Sequence, residues 1–278
     1  MPHPTERALL VVFALLLACT TREPSPADAK PEPVPERGPL VTIELSLVDD
    51  AAREQLAARL GPESAVAQAD LLLAVSHRIE DGWHIYWKNP GESGLRTQLD
   101  LTATSASAGE VLFPGPDRFE AAGAVTYGWG HEAVLFVPLD AVGDGARVDL
   151  HSRWLACAES CIPGETKLSG TVADLPRRSD AVVQAMLERV PEPAGPLVGA
   201  AWQDGALQLR PSAPGLTLTE LYPYASDTAM LGQQVRNDGA LELHYRFTGP
   251  PPADAQGVLL AEQDGKPRWL ELAVPWPA

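Results

Sequence analysis

Basic residues are scarce in this chain: 21 Lys and Arg stand against 37 Asp and Glu over 278 residues, a formal net charge of -16. Nucleic acid is excluded as a ligand, because neutralising phosphates needs a clustered excess of Lys and Arg. Attachment to a membrane surface through a basic patch fails for the same reason. Cysteine is scarce too. Three cysteines are too few for a disulfide scaffold, and no Cys-x-x-Cys unit is present. Long apolar runs are missing: the longest, Ala8 to Ala18, has 11 residues, against about 20 for a permanent membrane helix. No glycine-rich phosphate loop or serine nucleophile elbow is found. What is there is an apolar content of 45%, too high for a disordered chain, and enough length for one large or two modest cores.

The run Ala8 to Ala18 suits the apolar region of an export signal. Its end, Leu16-Leu17-Ala18-Cys19, resembles a bacterial lipobox, so residues 1–18 are read as a lipoprotein signal peptide and Cys19 as the lipidated mature N-terminus. A plain signal peptide or an N-terminal anchor is the alternative. Residues 19–39 carry six prolines and alternating charges without hydrophobic periodicity, the composition of an extended tether. The expected location is the periplasm, with the protein held to a membrane by lipid, where disulfides persist.

From residue 40 the pattern is mostly β. Val41 to Leu47 alternates with period two, and Leu71 to Ile79, Trp83 to Trp87, Val111 to Phe113, Ala133 to Leu139, Val148 to Leu155 and Leu168 to Val172 are further strand candidates between Gly, Pro and Asp clusters. A short helix is expected over Asp50 to Leu60 with Asp50 as cap, ended by Gly61-Pro62, and an amphipathic one over Ser179 to Val190 capped by Ser179. Pro191 to Pro196 reads as a boundary. Beyond it, Asp204-Gly205, Asn237-Asp238-Gly239 and Asp264-Gly265 mark hairpin turns. The expected fold is mainly β: a β-sandwich over 40–178, a helix and linker over 179–195, and a second β-sandwich over 196–278.

Two motifs carry chemical interest: the aromatic strand Gly82-Trp-His-Ile-Tyr-Trp-Lys-Asn-Pro-Gly-Glu-Ser-Gly94, running into a turn, and Trp154-Leu-Ala-Cys157-Ala-Glu-Ser-Cys161-Ile-Pro-Gly164. A bridge closing a five-residue loop supplies only about 2 kcal/mol of chain entropy, against about 4.4 for a 65-residue loop, so stability is a weak reason for this spacing. Pro163 and Gly164 suggest a bend that brings the cysteines within reach. A pair this close can open and close without unfolding its domain, as thiol-disulfide exchange requires. A passive bridge stays open as an alternative. So does a copper site in which His131, His151 or Met186 joins Cys157 and Cys161, although the histidines are scattered singly; no cofactor is expected. Glu159 lies between the cysteines and Glu165 follows, with no Lys or Arg between them. The thiols should therefore be poorly ionised and react chiefly when docked to a partner.

Four motifs in order, Gly82 to Gly94, Phe113-Pro-x-Pro116 with Arg118-Phe119, Tyr127-Gly128, and Cys157 to Gly164, together resemble the N-terminal periplasmic domain of the DsbD/ScsB group of thiol:disulfide interchange proteins. The resemblance covers Leu40 to Leu175, and the helix and second β domain more loosely. It implies an immunoglobulin-like sandwich that takes electrons from a membrane domain and passes them to periplasmic disulfide proteins. It implies that Cys157 and Cys161 are the exchanging pair, Cys161 attacking substrate and Cys157 resolving. Tyr127 and Gly128 match the end of a loop that shields the disulfide, with ordinary packing as the alternative for Tyr127. For Trp83, Tyr86 and Trp87 aromatic core packing is expected. The membrane-spanning and thioredoxin-like parts of complete relatives are not seen here, so the expected partners are a separate membrane thiol reductase and periplasmic thiol-disulfide proteins. The competing class is a non-enzymatic interaction or copper-handling lipoprotein.

Overall fold

Strands form here because apolar side chains recur at every second residue and so share one face. In Arg147–Cys157 the alternate side chains Val148, Leu150, Ser152, Trp154 and Ala156 are buried, as is Cys157 at the strand's end, while Arg147, Asp149 and Arg153 point to solvent. The computed structural model describes residues 38–121 and 123–277. The expected signal peptide, Cys19 and the tether up to residue 37 lie outside the described residues.

In chain order the strands of the first part are β1 (Val41–Val48), β2 (Leu71–Ile79), β3 (His84–Gly91), β4 (Gln98–Thr104), β5 (Ser107–Ala108), β6 (Asp117–Ala121), β7 (Ala124–Gly130), β8 (Glu132–Asp140), β9 (Arg147–Cys157), β10 (Cys161–Thr171) and β11 (Arg177–Arg178). Helices α1 (Asp50–Leu60) and α2 (Ala65–Gln68) lie between β1 and β2, and α3 (Ala181–Glu188) follows β11. The strands make two sheets, one ordered β11-β1-β2-β8-β5 and the other β10-β9-β3-β7-β6 with β4 also paired to β9. The later strands are β12 (Glu192–Pro193), β13 (Val198–Gln203), β14 (Ala206–Pro211), β15 (Leu216–Pro223), β16 (Ala229–Asn237), β17 (Ala240–Phe247), β18 (Asp254–Gln263) and β19 (Lys266–Pro275). They pair as β12-β19-β18-β15 and β13-β14-β17-β16. The mainly β, immunoglobulin-like class is borne out.

The three turns Asp204-Gly205, Asp238-Gly239 and Asp264-Gly265 each hold two consecutive residues at positive φ, the geometry of two-residue hairpins that Asp-Gly favours. Helix α1 spans the expected residues and ends at Gly61, but its cap is Asp49, which makes no side-chain bond; Asp50 is already in the first turn, 2.9 Å from Arg177. Helix α3 is capped by Asp180 and not Ser179: one carboxylate oxygen accepts from the amides of Val182 and Val183, and a full charge suits a helix N-terminus better than a hydroxyl. Val111 to Phe113 makes one isolated bridge, Leu112 to Phe136, and no strand. The expected linker contributes β12, which runs parallel to β19.

One apolar cluster spans both sandwiches, joining Ile85, Trp87, Tyr127 and Trp129 to Tyr222, Val258 and Trp269. The Tyr127 and Tyr222 rings meet edge-on at 5.3 Å, the Lys88 ammonium sits 3.6 Å above the Tyr224 ring, and Arg189 stacks over Trp269. Such cation–π contacts each contribute about 0.5–2 kcal/mol when partly desolvated.

Within the first sandwich, His77 of β2 bridges the two sheets. It is fully buried, 2.9 Å from Ser152 Oγ of β9, and edge-on to Trp154. Burial pushes its pKa down to about 4 from 6.5. The unfolded chain therefore binds a proton that the folded chain refuses between those values, so stability is complete above pH 6.5 and falls as the pH drops toward 4. The loss approaches about 3 kcal/mol. Urea unfolding at pH 7 and pH 4.5 is expected to show this decline, and His77→Gln should flatten it. Parallel slopes for the two proteins would refute the assignment.

Candidate functional site

Strands β9 and β10 form one long hairpin whose register runs from Thr171 opposite Arg147 up to Cys161 opposite Cys157. Ala158, Glu159 and Ser160 close its tip, with the Ala158 amide donating to the Ser160 carbonyl at 3.0 Å. The cysteines are therefore a directly opposed cross-strand pair, their Cα atoms 4.1 Å apart and their sulfurs bonded. The bond sits at the last rung before the tip, with the rest of the ladder below it. Pro163 and Gly164 do not make the expected bend. They lie in β10, an outer strand of the sheet, where proline is tolerated. Gly164 leaves room for the Trp154 indole: a Cβ there would come within 2.6 Å of the ring.

The two sulfurs have unlike surroundings. Cys157 is 2% exposed, while Cys161 is exposed and is followed by Ile162, which is 44% exposed. Across β9 from Cys161, the next strand places His84 opposite Cys157. The His84 ring is stacked on Phe119 of β6 at 4.5 Å and meets Tyr86 edge-on at 5.1 Å. Burial lowers the His84 pKa, which keeps the imidazole neutral at pH 7. A groove of about 700 Å³ opens two residues beyond Cys161, between Leu95, Pro90, Trp154 and Pro163. Its rim holds Leu95, which is 64% exposed.

The acidic surroundings expected from the sequence are only partly realised. Glu159 is exposed in the hairpin tip beside the pair. Glu165 is four residues along an extended strand, about 13 Å away, beyond a Debye length at physiological salt. Its carboxylate is held 2.9 Å from His151 Nε2, and that hydrogen bond lowers its pKa.

Tyr127 lies in β7, one strand beyond β3, buried against Tyr222 and lining a cleft between the sandwiches with Arg118 and Glu220. Burial, first of all, pushes its hydroxyl pKa up to about 12. Gly128 faces Tyr86 across the same pairing. Trp87 is fully buried and Tyr86 nearly so, as expected for core aromatics. The three residues weighed as copper ligands are dispersed into other contacts: His151 with Glu165, His131 with Asp81 at 3.2 Å, and Met186 on the buried face of α3. Among the described residues no group of three or more His, Cys, Asp or Glu side chains is placed to hold a metal ion. His84 and Phe119 stood within the motifs singled out in the sequence but were given no chemical role there, and the Leu95 groove was not foreseen. The alternation of His84 and Tyr86 beside the buried Ile85 was the available signal for His84; the pairing of β3 with β9 was not readable.

Residues 57–173 match the family model described as thiol:disulfide interchange protein DsbD, N-terminal. Among solved structures, the N-terminal periplasmic domain of ScsB from Proteus mirabilis aligns with a TM-score of 0.61 at 16% identity, covering 88% of this chain and 96% of that one. The DsbD N-terminal domain of Neisseria meningitidis in its reduced form aligns with a TM-score of 0.25 at 22% identity, over 40% of this chain and 90% of that one. No curated protein matches the chain. No described helix is long and apolar enough to cross a membrane.

Proposed function

We propose that the Cys157–Cys161 pair exchanges with protein partners, a reading supported by the match of residues 57–173 to the model of the DsbD N-terminal domain. In this reading it carries electrons between a membrane thiol reductase and periplasmic disulfide proteins. The observation that carries it is the asymmetry of the pair: an exposed Cys161 bonded across one rung of a hairpin to a buried Cys157. Exchange proceeds in line through one sulfur at a time, and only Cys161 offers its sulfur to a partner. An incoming thiolate attacks Cys161 Sγ, the intramolecular bond breaks, and Cys157 leaves with the electron pair. A second partner thiol then resolves the mixed disulfide, leaving this protein as a dithiol. The reverse sequence hands two electrons to an oxidised substrate. Ile162 and the Leu95 groove supply apolar surface against which a partner can dock. Lipidation at Cys19 and the tether of residues 19–39 would hold the body near a membrane partner and raise its effective concentration.

A Cys157→Ala variant tests this directly. Cys161 should then be caught in mixed disulfides that accumulate in periplasmic extracts and vanish on reduction. Finding none, with the unaltered disulfide also inert toward a thioredoxin-like reductant, would refute the reading.

A further inference from the structure

Cys157 is a buried sulfur that must change protonation whenever the pair opens or closes, and what lies beside it decides how. Its register partner on β3 is His84. Opposed residues of an antiparallel pair project from the same face of the sheet, with Cβ atoms about 4.5–5.5 Å apart. The His84 ring is held from two sides, stacked on Phe119 and edge-on to Tyr86. Its Nε2 is buried and has no hydrogen-bond partner. A buried nitrogen without a partner calls for an explanation, and the residue paired with His84 on β9 is Cys157. An oxidised Cys157 has no proton to donate, whereas a reduced Cys157 carries an S–H on the same sheet face.

We infer that His84 is the proton partner of Cys157 during exchange, an inference that rests on the exchange reading above. In the resolving step the Cys157 thiol gives its proton to His84, and the thiolate attacks Cys161 Sγ in the mixed disulfide. The Cys157–Cys161 bond forms, the Cys161–substrate bond breaks, and the electron pair leaves on the substrate sulfur, which takes up the proton from His84. Two electrons pass from the cysteine pair to the substrate disulfide, and the imidazole ends neutral. In the opening direction the same imidazole protonates the departing Cys157 thiolate. The groups facing His84 are Cys157 from β9, Gly130 from β7, Phe119 from β6 and Tyr86 on its own strand. None is charged at neutral pH, since burial raises the Tyr86 pKa. The charged groups close by in the chain, Glu159 at the hairpin tip and Asp81 at the turn before β3, where it meets His131, are exposed. The neutral imidazole is thus free to act as a base toward a thiol that no nearby cation helps to ionise.

The test uses the full-length reduced protein with oxidised glutathione as the disulfide probe, following formation and then resolution of the Cys161–glutathione adduct from pH 5 to 9. Wild type should resolve the adduct with a rate that falls as His84 becomes protonated. His84→Phe, which keeps a ring for Phe119 to stack on, should slow resolution about tenfold to a hundredfold at pH 7 and lose that inflection. His84→Asn should recover part of the rate without the inflection, and serves also if the Phe variant folds poorly. Resolution within twofold of wild type, with the same pH profile, would overturn the assignment to His84 while leaving the exchange reading intact. A wild-type protein that forms no adduct at all would instead overturn the exchange reading, and this inference with it.

Discussion

Cys161→Ala is expected to reduce thiol exchange to the level of a protein lacking both cysteines, although Cys157 remains present as a free thiol. The two cysteines are equivalent in the chemistry of their side chains, and only their placement separates them. Cys157 is 2% exposed beneath its hairpin partner, while Cys161 opens β10 at the surface. An attacking thiolate must approach along the axis of the bond it breaks, and a buried sulfur offers no such path to a protein partner. Reaction of each single variant with oxidised glutathione, followed by the mass of the adduct, measures the difference. The Cys157→Ala protein should form a lasting adduct and the Cys161→Ala protein none. Adducts forming at comparable rates in both would show that the hairpin tip opens widely enough to erase the asymmetry, and the division of roles would fail.

Gly128→Ala is expected to be the most destabilising small substitution in the first sandwich. A Cβ on Gly128 would lie 2.0 Å from the Ile85 carbonyl oxygen, 2.9 Å from its carbon and 3.1 Å from the Tyr86 Cα. All three are backbone atoms of β3, so no side-chain rotation relieves the clash, and β7 must separate from β3. A forced backbone shift of this kind costs about 3 kcal/mol or more, which for a unit of this size lowers the melting temperature by roughly 6–12 °C. Gly130→Ala is the matched control two residues on: its nearest neighbour would be the Trp83 carbonyl oxygen at 3.6 Å, ordinary contact that should cost under about 1 kcal/mol. Because β3 also carries His84, the Gly128 variant should slow exchange as well as weaken the fold. Urea unfolding with equal values for the two alanine variants would refute the account.

Gly128 shows how far a motif carries. Tyr127-Gly128 drew attention through its resemblance to the end of a shielding loop. In the structure Tyr127 packs edge-on against Tyr222 of the second sandwich, and Gly128 permits two strands to meet. The shielding role is a separate proposal, which Tyr127→Ala would probe through the reactivity of Cys161 toward iodoacetamide. Pro163-Gly164 is a parallel case. Proline and glycine together read locally as a bend, yet the tertiary neighbour of Gly164 is the Trp154 indole, and the residue is small to make room for that ring.

The scarcity of basic residues, the alternation of Val41–Val48 and Leu71–Ile79, the Asp-Gly turns and the Cys-x3-Cys spacing were all decided by the chain's local order. Each depends on residues a few positions apart, where periodicity and turn chemistry act. Which sulfur is buried, which histidine stands beside it and which glycine cannot accept a methyl group were decided only by folding. Those properties belong to pairings such as β3 with β9, which join residues more than 70 positions apart, and no local pattern encodes a partner at that distance. The sequence thus located a pair of cysteines, and the sandwich made them unequal.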